Sequence, residues 1–135
     1  MSARKLTQAD VEKMLLAHAA WIAGRVEGQQ LALRHCSAVG LVFREADLSY
    51  ADLSYADFRG ANCKGVPFRH SLLDHANFRG VNCTEADLRW ATLVDADFRE
   101  ADLTDVDFRN TTTRRLRVTG ARVRIAGAVF IGSAP

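Results

Sequence analysis

The chain has 135 residues, 48% of them hydrophobic and 25% charged, with a formal net charge of +2. This composition suits one domain with a real core and excludes disordered and collagen-like chains. No apolar run approaches the ~20 residues of a membrane helix, and MSARKLTQAD lacks the apolar stretch of a signal peptide, so a cytoplasmic protein without membrane contact is expected.

Charge is segregated along the chain. Residues 1–45 carry six basic and four acidic side chains, residues 46–110 seven and twelve, and residues 111–135 five and none. An acidic middle of −5 therefore precedes an arginine-rich end of +5, which suggests charged partners. Three cysteines are too few and too odd in number for a disulfide scaffold, and their spacing matches no CxxC metal signature.

The first predicted element is a helix over residues 7–23. Thr7 and Asp10 are spaced as a capping box, Val11, Met14, Leu15, His18 and Ile22 recur at helical spacing, and Gly24 ends the run. Residues 25–30, RVEGQQ, read as a connector.

From Ala46 the chain divides into fives: ADLSY, ADLSY, ADFRG, ANCKG, VPFRH, SLLDH, ANFRG, VNCTE, ADLRW, ATLVD, ADFRE, ADLTD, VDFRN. In these thirteen pentads the first residue is Ala nine times, the third is Leu six times and Phe five, and the second is Asp or Asn ten times. Five is neither the period of a helix nor that of a strand. It suits a chain that turns a corner every five residues, with the first and third residues inward and the other three outward. A second period of twenty overlies it, since ADFRGANCKG at 56, ANFRGVNCTE at 76 and ADFREADLTD at 96 align without a gap. Stacking then gives internal ladders of Phe58, Phe78 and Phe98; of Leu53, Leu73 and Leu93; of Cys63, Cys83 and Leu103; and of Leu48, Phe68, Leu88 and Phe108.

This pattern resembles the pentapeptide-repeat family, whose motif is A(D/N)LXX. The resemblance covers residues 46–110 strongly and extends weakly upstream through LALRH, CSAVG and LVFRE, and downstream through TTTRR, LRVTG, ARVRI and AGAVF. It implies an all-β solenoid, a right-handed quadrilateral parallel β-helix of about five coils over residues 31–130. Residues 1–30 would supply an N-terminal α-helical cap and connector, and residues 131–135 a C-terminal tail. AHAAWI at residue 17 resembles the histidine- and tryptophan-bearing helix that precedes many such arrays. The Asp/Asn column reads mechanically, as side chains accepting backbone amides at corners. Pro67, Leu72 and Thr92 interrupt it and are expected to disturb two sides of the stack.

The tail ends in AVFI, so Val129, Phe130 and Ile131 either close the last coil or offer an apolar edge to a second copy. Some members of the family dimerise through their C-terminal coils, and the resemblance implies a homodimer as one outcome.

No nucleophile elbow, phosphate loop or HExxH is present, so neither an enzyme nor a cofactor is expected. His70 and His75 are too few for a metal site, and Cys63 and Cys83 read as buried thiols. Outward columns carry the functional readings. Tyr50, His70 and Trp90 run beside Arg69, Arg89 and Arg109, a candidate surface for an unidentified protein partner. Glu45, Asp47, Glu85, Asp87, Asp105 and Asp107 form an acidic ridge interrupted by Gly65 and Pro67. The first reading is a non-enzymatic interaction module with a rigid surface. The second is a DNA-mimicking protector of DNA gyrase, which the resemblance implies for some members and the arginine columns disfavour. The third is nucleic-acid binding through Arg114, Arg115, Arg117, Arg122 and Arg124, disfavoured because no aromatic platform accompanies them.

Overall fold

A corner recurs every five residues in the computed structural model, which describes residues 3–123. The first residue of each pentad donates its N–H to the carbonyl of the third residue of the pentad before, as Ala51 does to Leu48 at 3.2 Å and Ala56 to Leu53 at 3.1 Å. The fifth residue, inside this turn, has positive φ at every pentad from His35 (60°) to Gly120 (73°). Left-handed backbone at that place is the geometry of a type II turn. Glycine supplies it without strain at Gly40, Gly60, Gly65, Gly80 and Gly120, while Tyr50, Tyr55 and Trp90 hold it with φ of 60–64°. Ten Asx side chains brace the corners: Asp47 Oδ1 accepts the Ser49 amide at 2.9 Å, and Asp52, Asp57, Asn62, Asn77, Asn82, Asp87, Asp97, Asp102 and Asp107 each accept the amide two residues on.

Successive coils pair in parallel twenty residues apart. One side runs Ala32, Asp52, Leu72, Thr92, Thr112; another runs Ser37, Asp57, Asn77, Asp97, Arg117. The expected disturbance is not found at Leu72 and Thr92, because main-chain pairing does not depend on the Asx side chain. At Pro67 it is present on one edge: with no N–H to reach Ala46 O, Pro67 forms no bridge with Asp47, whereas the other three sides bridge at this level. Pro67 has no N–H to give, yet its carbonyl accepts from Leu48 at 2.9 Å and it pairs with Asp87.

Inward residues fill the square. Phe58, Phe78 and Phe98 stack with centroids 4.8 Å apart and planes 12° from parallel, the spacing of neighbouring strands. Leu53, Leu73 and Leu93 are fully buried, as are the small first-position alanines between them. Cys36, Cys63 and Cys83 are free and buried, and burial pushes all three thiols above their ordinary range.

Two elements precede the coils. Helix α1 (Gln8–Ile22) begins at Thr7, whose side chain accepts the Asp10 amide while Asp10 accepts the Thr7 amide. It ends at Gly24 (φ 75°), with Gly24 donating to Trp21 and Arg25 to Ala20 in a Schellman arrangement. Strand β1 (Arg4–Lys5), not foreseen in the sequence, pairs in parallel with β2 (Cys36–Ser37). Both elements meet the free edge of the first coil. The Gln8 amide donates to Val42 O and accepts from Val42 N, each at 2.9 Å, standing in for a missing backbone peptide. His18, fully buried, accepts the Leu31 amide at Nδ1 (2.9 Å), which leaves Nε2 to donate to Ser49 O (2.8 Å). The connector passes so close that a Cβ on Gly28 would lie 2.2 Å from Trp21 N. No helix among the described residues is long and apolar enough to cross a membrane.

Candidate functional site

One side of the square consists of pentads 46–50, 66–70, 86–90 and 106–110. The two surfaces read separately from the sequence lie together here, the acidic ridge along the entering corner and the aromatic column along the leaving one. Tyr50 stacks on His70 at 5.0 Å and 9°, and His70 on Trp90 at 5.9 Å and 4°. Tyr50 and Trp90 remain 48% and 54% exposed. From α1, Trp21 adds an edge contact to Tyr50 at 6.4 Å and stacks on His18 at 5.6 Å. Among the described residues Asn110 ends the column.

A shallow cleft of about 470 Å³ opens along this side, with Ile22, Tyr50, Pro67, His70 and Trp90 as its apolar wall and Asp47, Arg69, Asp87 and Arg89 as its charges. A second cleft, between Leu15, Leu16 and Ala19 of α1 and Ala46, meets the first at Asp47.

Five of the six column arginines pair with carboxylates of the repeat itself, the exception being Arg79, which follows Asn77. Arg89 and Arg109 each fork onto the carboxylate two residues before them, Asp87 at 2.8 Å and Asp107 at 2.7 Å. Arg69 follows Pro67 instead of Asp and reaches across the coil to Asp87 at 2.6 Å, while Arg89 also approaches Asp107 at 3.4 Å. On the opposite side of the square Arg59 pairs with Asp57 and Arg99 with Asp97, both at 2.7 Å. The hydrogen bonds from Arg109 hold the Asp107 carboxyl below its ordinary range, and Arg99 does the same for Asp97. The ridge is thus less negative than its composition: Asp87 and Asp107 belong to ion pairs, and Asp47 braces Ser49. Glu45, Glu85 and Asp105 occupy the left-handed corner positions.

A second aromatic column escaped the sequence reading. His35 stacks on Tyr55 at 4.7 Å and Tyr55 on His75 at 4.6 Å, with the Arg34 guanidinium 5.3 Å above Tyr55. The column continues as ions, His75 lying 3.8 Å from Asp95, which takes both Arg115 hydrogen bonds at 2.5 and 2.7 Å. The twenty-residue period would have exposed it, as it exposed the first. Trp21 and Ile22 had no such signal, because they come from outside the repeat.

Of the tail arginines, Arg115 is bound to Asp95, while Arg114, Arg117 and Arg122 are exposed. Arg124, the candidate dimer edge Val129, Phe130 and Ile131, and the 131–135 tail lie outside the described residues. Among the described residues no group of three His, Cys, Asp or Glu side chains is placed to hold a metal ion.

Residues 32–62 and 82–112 match the family described as pentapeptide repeats, in eight copies. No curated protein matches the chain. Among solved structures, HetL of the cyanobacterium Nostoc sp. strain PCC 7120, a pentapeptide repeat protein involved in heterocyst differentiation regulation, is 28% identical with a TM-score of 0.67. That match covers 76% of this chain and 44% of HetL. A pentapeptide repeat protein of the Arabidopsis thaliana thylakoid lumen is 24% identical with a TM-score of 0.63, over 69% of this chain and 63% of that one. The chain therefore spans between two fifths and two thirds of these proteins. QnrB1, a plasmid-mediated fluoroquinolone resistance protein, is 17% identical over 69% of this chain and 82% of its own, with a TM-score of 0.24 too low to bear on fold or role. Proteins of this kind are generally structural or interaction proteins and form right-handed β-helices. The repeat, its corners and these matches agree: the chain belongs to the pentapeptide-repeat family.

Proposed function

We propose that the protein is a non-enzymatic protein–protein interaction module, a β-helix of about five coils that presents the side 46–50, 66–70, 86–90, 106–110 to a partner protein. The observation that carries this reading is the exposed ladder of Tyr50, His70 and Trp90 beside the 470 Å³ cleft. Aromatic rings already stacked on one another lose little freedom on binding and carry large contact area, which is the character of interface hot spots. The rigid coil behind them sets their spacing.

In this reading α1 and β1 cap the N-terminal edge, with Gln8 and His18 satisfying peptide groups that a further coil would otherwise take. The cap also lends Trp21 and Ile22 to the recognition side. No cofactor enters the reading, and the cytoplasm remains the proposed compartment. A gyrase-protecting role needs a sustained negative surface, and the ion pairs at Asp57, Asp87, Asp97 and Asp107 interrupt it.

The test is affinity capture by the full chain and its Trp90→Ala variant. Removing a hot-spot indole costs at least ~2 kcal/mol, or roughly thirtyfold in affinity. Capture of one protein lost in Trp90→Ala, with melting preserved, supports the reading; equal capture by the two moves the interaction to another side.

A further inference from the structure

On this side the repeat contains its own template for binding an arginine, and leaves one copy unfilled. Arg89 donates Nε to Asp87 Oδ1 at 3.0 Å and Nη2 to Oδ2 at 2.8 Å. Arg109 makes the same fork to Asp107, at 3.0 and 2.7 Å. The equivalent carboxylate in the first coil is Asp47, and the residue two places on is Ser49. Asp47 Oδ1 accepts the Ser49 amide at 2.9 Å, as its counterparts accept theirs, but among the described residues no guanidinium lies within ion-pair distance of it. The residue two places on is a short, buried serine whose carbonyl accepts from His18, and Arg69, which lines the same cleft, is bonded to Asp87 instead.

We infer that Asp47 receives an arginine side chain of the partner protein, its guanidinium forked onto the carboxylate as Arg89 and Arg109 fork onto theirs and its stem lying in the cleft between Ile22 and Tyr50. Charge supports that occupant. Along this side and its entering corner stand six carboxylates, Glu45, Asp47, Glu85, Asp87, Asp105 and Asp107, against three guanidiniums, Arg69, Arg89 and Arg109. Arg44 and Lys64 belong to the preceding side of the corner, whereas Glu12 of α1 lines the adjoining cleft with Asp47. A planar, delocalised guanidinium also suits an aromatic and aliphatic wall better than an ammonium does. Leu15, Leu16 and Ala19 then offer an apolar seat for a residue flanking the arginine. This inference rests on reading the side as the interaction surface.

The probe is N-acetyl-arginine methylamide, titrated into the full chain and followed by the amide shift of Ser49, which reports directly on Asp47. The control variant is Asp47→Asn, whose fold is secure because Asn62, Asn77 and Asn82 brace the same turn at 3.1–3.2 Å. Saturable shifts at Ser49 and Tyr50 are expected, weakened at least about tenfold in Asp47→Asn, since hydrogen bonds to charged groups are worth ~1.5–3 kcal/mol. The acetyl-citrulline analogue should bind as weakly as the arginine probe does to Asp47→Asn. Asp52→Asn alters the same motif one side away, outside the clefts, and should change nothing. No saturable shift at Ser49, or equal affinity in Asp47→Asn, overturns the inference. Capture of a partner that survives Asp47→Asn but is lost in Trp90→Ala also overturns it while leaving the interaction surface standing; capture indifferent to both variants overturns the proposed function itself.

Discussion

The two aromatic corners share one backbone and differ in how their ends are finished. His35, Tyr55 and His75 are covered above by Arg34 and continued below by Asp95 and Arg115, so the protein's own charges complete that column. Among the described residues Tyr50, His70 and Trp90 give way to Asn110 with no charged completion, and they border a cleft whose Asp47 carboxylate has no guanidinium within ion-pair distance, while Tyr50 and Trp90 are exposed to much the same degree as Tyr55. Both columns stand on left-handed corners of the same stack, where φ lies between 58° and 64° for the five rings from 50 to 90. In the proposed reading the scaffold does not choose the recognition side; the outward residues that the fold leaves incomplete do.

The largest test strikes what the two columns share. Phe78, fully buried between Phe58 and Phe98, should cost about 3–5 kcal/mol on substitution by Ala, read as a shift in urea unfolding. Loss well below that range would mean that the interior ladder does not hold the coils together. His18→Ala is next and separates the columns. It leaves the Leu31 amide and the Ser49 carbonyl unpaired, at roughly 1–3 kcal/mol for each buried group, and removes the ring on which Trp21 stacks. Amide exchange should quicken at Leu31 and leave Tyr55 unchanged; equal quickening at both would show that the cap and the coils unfold as one.

Much of this was legible in the sequence because the repeat constrains it twice. The pentad told inside from outside at Leu53, Phe58 and Cys63, and the twenty-residue period placed Tyr50, His70 and Trp90 in one column. The capping box at Thr7 and the stop at Gly24 followed from local chemistry alone. Contacts between unlike segments were not legible. Nothing in the spacing of Gln8 or His18 shows that their side chains meet Val42 and Ser49, and β1 is only two residues long. The expected breaks at Leu72 and Thr92 failed to appear for a related reason, and the one at Pro67 is confined to its missing bridge with Asp47. The Asx side chain supports a corner that main-chain pairing already makes.

The smallest effect sharpens the finished column. Hydrogen bonds from Arg115 hold the Asp95 carboxyl below its ordinary range, against the opposing pull of burial. A carboxyl depressed in the folded state stabilises fully above the ordinary carboxylate range, and that contribution fades as pH falls through the lowered value. Arg115→Met should return Asp95 toward ordinary titration, followed by its side-chain carbon shift, with little change in melting near neutral pH. An unmoved titration would mean that Arg115 does not complete the column in solution.

The central claim is that the unfinished column binds and the finished one does not. Its most direct measurement is capture of the partner protein by the full chain, by Trp90→Ala and by Tyr55→Ala, each checked for unchanged cooperative unfolding. The account predicts that Trp90→Ala loses the partner and Tyr55→Ala keeps it. Loss with Tyr55→Ala and retention with Trp90→Ala would contradict it and move recognition to the opposite choice of corner.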